Sequence, residues 1–87
     1  MAELRLPPTL EPLFDDLPRR VELDAASVWE AFEQLERRWP GVSDRLCEPG
    51  PALRPHIHVY VDQERAGLDT PLHPHSRVDV VAAISGG

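Results

Sequence analysis

The sequence predicts a small α+β domain in which one amphipathic helix packs across a mixed sheet. Three observations predict it. Four short segments alternate apolar and polar residues with the period of a half-buried strand, two before and two after a single helical stripe. The stripe opens on a capping signal and closes on Pro40-Gly41. The last segment, Arg77 to Ile84, is apolar on both faces, as a strand in a sheet interior should be. At 87 residues the chain has room for one domain, expected over residues 1–82, with residues 83–87 as a tail.

Taken in order, Ala2 to Leu6 is the first strand, with Leu4 and Leu6 on one face and Glu3 and Arg5 on the other, stopped by Pro7 and Pro8. Thr9 to Pro18 reads as a connection. Arg20 to Leu23 resumes the alternation, so the two early strands suggest a hairpin. Ser27-Val28-Trp29-Glu30 is a capping-box pattern, with Asp24 as an alternative cap one turn earlier. Val28, Ala31, Phe32, Leu35 and Trp39 follow at helical spacing, while Glu30, Glu33, Glu36, Arg37 and Arg38 form the wet side. Ser43 to Cys47 is a short helical turn, and a loop runs on to Pro55. From His56 to Asp62, Ile57, Val59 and Val61 share one face and His56, His58 and Tyr60 the other. Gln63 to His75 is irregular. The closing strand is expected beside the first, so that the chain leaves the sheet from its centre and its last residues project into water.

Composition narrows the function. Fifteen carboxylates against nine cations give a net charge of −6, which argues against binding a phosphate backbone by bulk electrostatics. All nine cations are arginine, so no lysine amine can be acylated or form a Schiff base. A single cysteine, Cys47, excludes an internal disulfide framework. No apolar run approaches the ~20 residues of a membrane-spanning helix. Nothing near Met1 resembles a secretion signal, and a cytoplasmic location is expected.

The end of the sequence is its most unusual feature. Gly86-Gly87 follows a core strand almost directly, and Ala82, Ala83, Ser85, Gly86 and Gly87 form a slim tail broken only by Ile84. Glycine pairs also occur in frayed termini. A backbone lacking Cβ can, however, thread a narrow channel into another protein's active site. A carboxylate held there could be adenylated and then attacked by a sulfur or nitrogen nucleophile. The partner would supply all of the catalysis, so the chain itself is expected not to be an enzyme.

The chain resembles the MoaD/ThiS family of ubiquitin-like, β-grasp sulfur carriers. The resemblance rests on Trp39-Pro40-Gly41-Val42, Ser43-Asp44-Arg45-Leu46, Leu53-Arg54-Pro55-His56-Ile57-His58-Val59, Gly67-Leu68-Asp69-Thr70-Pro71-Leu72 and the terminal Gly86-Gly87. It implies that Gly87 is adenylated by a MoeB/ThiF-type activating enzyme using MgATP, with Gly86 as the slender approach. The resulting thiocarboxylate would hand its sulfur to an acceptor synthase or large subunit. The longer pattern resembles the MoaD side, which serves molybdopterin synthesis, and related carriers feed cysteine, thiamine or sulfur-containing natural products. The alternatives are a ubiquitin-like modifier joined through Gly87 to target lysines, and a plain binding module with an inert tail. No permanently bound cofactor and no metal are implied.

Tyr60 and Val81 are expected on the open face of the sheet as an apolar patch. With Ile84 and Ser85 they are the candidate partner-binding residues, since family members meet their partners through such a face. His56 and His58, with His73 and His75, could in principle form a four-histidine zinc site, but solvent-facing histidines are the expectation. Cys47 is expected to be a small packing thiol. Trp29, Phe32 and Trp39 are assigned to the core and helix edge, and Asp15–Asp16 to a solvated loop.

Overall fold

The alternating segments build one five-stranded sheet in the computed structural model, which describes residues 1–83. The strands are β1 (Ala2–Arg5), β2 (Arg20–Leu23), β5 (Ile57–Val61), β6 (Glu64–Ala66) and β7 (Arg77–Ala82). They lie in the order β2-β1-β7-β5-β6. β1 pairs antiparallel with β2 and parallel with β7, and β5 pairs antiparallel with both β7 and β6. The closing strand is therefore central and lies beside the first, as predicted, although its outward face carries Arg77 and Asp79 as well as Val81.

Helix α1 (Val28–Arg38) crosses one face of this sheet. Its stripe, Val28, Ala31, Phe32 and Leu35, meets Leu4, Val21, Leu23, Ile57, Val59, Val78 and Val80 in a single buried cluster. The period-3.6 and period-2 apolar faces thus cover each other, which is why neither element needs a second layer. Ser27 caps the helix, its Oγ accepting from the Glu30 amide at 3.2 Å. Only this half of the expected box forms among the described residues. The amides of Val28 and Trp29 instead donate to the carbonyls of Thr70 and Leu68, at 3.1 and 2.8 Å. The Gly67-to-Leu72 segment thereby satisfies two of the amides that a helix start leaves unpaired.

Four local features depart from the sequence reading. A 3-10 helix, Pro8–Leu13, starts on the second proline of the strand stop, runs into the Thr9-to-Pro18 connection and buries Leu10. The stretch after α1 is not only a turn and a loop: α2 (Val42–Leu46) leads into a two-stranded hairpin, β3 (Cys47–Glu48) with β4 (Ala52–Leu53). β6 lies inside the segment expected to be irregular. Asp62 and Gln63 join it to β5 with φ of 51° and 74°, a tight turn built without the glycine that usually announces one. The closing strand stops at Ala82, although the Ala83 amide still donates to the His56 carbonyl at 2.7 Å. The rest of the expected tail lies outside the described residues.

Glu36, assigned to the wet side, has a structural task. Its carboxylate accepts from the amides of Gly41 and Ser43 at 2.8 and 2.9 Å, across the turn between α1 and α2 where Gly41 takes a φ of 100°. Glu36→Ala would leave both amides without this partner. A loss of about 1–2 kcal/mol is expected, read as a fall in the thermal midpoint of roughly 5–10 °C for a domain of this size.

Candidate functional site

The alternation that buries Val78 and Val80 turns Val81 outward, onto the sheet face not covered by α1. Val81 is 42% exposed and is one of the few large apolar side chains in solvent. Its partner across the ladder is His58, and Asp79 faces Tyr60 in the next outward row. Tyr60 and Val81 thus occupy one face on adjacent strands, as expected. The Ala83 amide bonds the carbonyl of His56, so the main chain leaves the described part of the fold beside these residues. The predicted site residues Ile84, Ser85, Gly86 and Gly87 lie outside the described residues.

The surroundings of Tyr60 differ from the expected apolar patch. Tyr60 is half-buried, and the Arg65 guanidinium of β6 lies over its ring, 5.9 Å from the centroid. Asp79 holds Arg77 in an ion pair of 3.3 Å. On β1, Glu3 receives Arg5 at 2.7 Å and Arg20 at 3.9 Å. The hydrogen bond from Arg5 is the main reason that the Glu3 carboxyl titrates below its ordinary value. The face is therefore a charged lattice with Val81 as its apolar point. Arg5 and Arg20 stood in the polar half of their alternations, and Arg5–Glu3 and Arg77–Asp79 are pairs two apart on one strand, but the approach of Arg20 to Glu3 and of Arg65 to Tyr60 required the sheet order.

The other candidates resolve simply. His73 Nε2 stands 3.6 Å from Asp62 Oδ2, at the end of β5 opposite His56. The two histidine pairs are therefore not brought together. Among the described residues, no group of three or more histidines, cysteines and carboxylates could hold a metal ion. Cys47 is buried, and burial raises its thiol pKa, the reverse of what a nucleophile needs. Phe32 is fully buried, while Trp29 and Trp39 pack against the core from its edge. Asp15 and Asp16 are exposed. No described helix is long and apolar enough to cross a membrane.

Comparison with known proteins gives a consistent picture. The ThiS family profile matches residues 14–87. No curated protein sequence matches significantly. Among solved structures, the chain is similar to that of the BexX/CysO complex of Amycolatopsis orientalis, with a TM-score of 0.85, 25% identity and all of both chains covered. It is also similar to SAMP1 of Haloferax volcanii, with a TM-score of 0.80, 25% identity and coverage of 99% of this chain and 98% of that one. The fold is shared with CysO of Mycobacterium tuberculosis, with a TM-score of 0.83 at 22% identity, covering 97% of this chain and all of the other.

Proposed function

Because the chain belongs to the ThiS family of ubiquitin-fold sulfur carriers, we propose that Gly87 is its reactive end and Gly86 the approach to it. The carboxylate of Gly87 attacks the α-phosphate of MgATP in a MoeB/ThiF-type activating enzyme, releasing pyrophosphate and forming an acyl adenylate. A hydrosulfide nucleophile then adds to the acyl carbon and expels AMP, leaving a thiocarboxylate. The sulfur passes from there to an acceptor synthase. The carrier itself contributes no acid, base or nucleophile beyond that carboxylate, and it acts in the cytoplasm, where ATP and reduced sulfur are found.

The observation that carries this reading is the central position of β7. The strand before the glycines pairs with β1 over Arg77–Asp79 and with β5 over Val78–Ala82, and it buries Val78 and Val80. The sequence that follows, Ile84-Ser85-Gly86-Gly87, is thus anchored to the most constrained strand of the sheet. Tyr60 and Val81, on the face beside that exit, are the proposed contacts with the activating enzyme. Ile84 and Ser85 continue that contact.

The acceptor implied by the MoaD-like segments is a molybdopterin-type synthase. The likeness to CysO, solved in complex with BexX, supports delivery to a partner protein, and cysteine or natural-product synthesis are the other acceptor classes. SAMP1 is by name a small archaeal modifier protein, which supports a second reading: conjugation through Gly87 to lysines of other proteins. The absence of lysine from this chain forbids polymers built on its own side chains.

Intact mass separates the two. After incubation with the cognate activating enzyme, ATP and a sulfur donor, replacement of one terminal oxygen by sulfur is expected. Lysine-linked adducts in cell extract without any thiocarboxylate would replace the carrier reading with the modifier. No ATP-dependent change in mass would refute both.

A further inference from the structure

The open face of the sheet is opposite in charge to the rest of the chain. Cross-strand register places Arg5, Arg20, Arg65 and Arg77 on it with Glu3, Glu22 and Asp79. The remainder of the sequence carries twelve carboxylates against five arginines. The arginines of the face are not all neutralised. One carboxylate, Glu3, is shared by Arg5 and Arg20, and Arg77 is taken up by Asp79. Arg65 has no carboxylate in ion-pair contact among the described residues and rests on Tyr60 instead.

These charges have a layout. Arg65 stands on the β6 edge and Arg20 on the β2 edge, four strand spacings apart, or about 19 Å. Arg5, Asp79 and the half-buried Tyr60 lie between them in one row, and the exposed Val81 with the half-buried His58 forms the next row, toward where the chain leaves the sheet. An apolar point at the chain's exit is thus bordered by a row of charges that ends in an arginine on each edge, and apolar and charged groups side by side are what a protein partner can match.

We propose that this face recognises a protein surface whose apolar contact is bordered by carboxylates, and that the arginines at the two edges of the sheet set the partner's required charge. The proposal rests on the sulfur-carrier reading in identifying that partner as the activating enzyme. A protein suits the face better than a nucleic acid. Glu3, Glu22 and Asp79 alternate with the arginines and would repel a continuous phosphate backbone, whereas discrete carboxylates can be placed opposite Arg65 and Arg20 alone. The negative remainder of the chain would turn the face toward an acidic partner only at short range, which makes the contact selective rather than generally adhesive.

The test uses the full-length protein and its cognate activating enzyme, with ATP–pyrophosphate exchange and direct titration calorimetry run in parallel. Arg20→Glu and Arg65→Glu are expected to raise KM and Kd about three- to fivefold each, and the pair about tenfold or more, with kcat unchanged. Glu22→Arg, a gain of the favoured charge at an exposed site, is expected to lower KM and guards against misfolding as the cause. The wild-type KM should rise with salt, and that of the double variant should rise less. Unaltered KM and Kd in the reversal variants, or weaker binding by Glu22→Arg, would overturn the proposal while normal exchange upheld the carrier reading. If no exchange occurred but arginine-dependent binding remained, the carrier reading would fall and the acidic partner would stand. Arginine-dependent retention of a single-stranded oligonucleotide, with no effect on enzyme binding, would also overturn the proposal.

Discussion

Phe32→Ala is expected to destabilise the protein by about 3–5 kcal/mol, a large part of the total stability of a domain this small. Phe32 is fully buried at the middle of α1 and faces the sheet in the same cluster as Leu4, Leu23, Val59 and Val78. Removing the ring leaves a cavity between the helix and the sheet that the surrounding side chains can only partly fill. The thermal midpoint should fall by roughly 15–30 °C. Phe32→Leu, which retains most of the volume, should lose far less. Val81→Ala, on the open face, is the contrasting case: with 42% of Val81 already in solvent, its midpoint should stay within a few degrees of wild type. Should Phe32→Ala melt like Val81→Ala, the assignment of Phe32 to the centre of the core between α1 and the sheet would be wrong. Calorimetric or circular-dichroism melting decides the matter.

That contrast explains which parts of the fold were legible. Strands β1, β2, β5 and β7 and helix α1 each carry a periodic apolar face, and such a face can be read without knowing its partner. β7 showed even its place in the sheet through Val81 and Ala83, apolar residues on the side opposite Val78 and Val80, although Arg77 and Asp79 share that outward side. β6 did not announce itself. It is three residues long, and its turn adopts positive φ at Asp62 and Gln63 with no glycine to mark it. The β3–β4 hairpin is shorter still, two residues a side. Glu36 looked like any solvent-facing helix residue because its partners, Gly41 and Ser43, lie beyond the helix. The candidate site divides in the same way. Tyr60 and Val81 followed from strand periodicity, whereas the approach of Arg20 to Glu3 and the stacking of Arg65 on Tyr60 depend on which strands are neighbours.

Deleting Gly87, so that the chain ends on Gly86, is expected to reduce ATP-dependent activation by roughly 100-fold or more while leaving the melting midpoint unchanged. The argument is one of reach. Beyond Ala83 only four residues remain, which span at most about 14 Å when fully extended. The distance between the docked sheet and the nucleotide is fixed by the partner, so the loss of one residue withdraws the carboxylate by about 3.5 Å. In-line attack on a phosphate tolerates far less, since a displacement of about 1 Å already costs on the order of 100-fold. A bulky residue one step earlier should act differently. Gly86→Trp leaves the length intact but adds a side chain where the channel must admit bare backbone. Gly86→Ala should therefore fall between wild type and Gly86→Trp. Binding through the sheet face should survive in every case, because Tyr60, Val81 and the arginines are untouched. The variants should then become competitive inhibitors of wild-type activation, with inhibition constants close to the wild-type dissociation constant. Full activity of the shortened chain in pyrophosphate exchange would show that the reacting carboxylate is not presented by the end of this tail, and the carrier assignment of Gly87 would have to be abandoned.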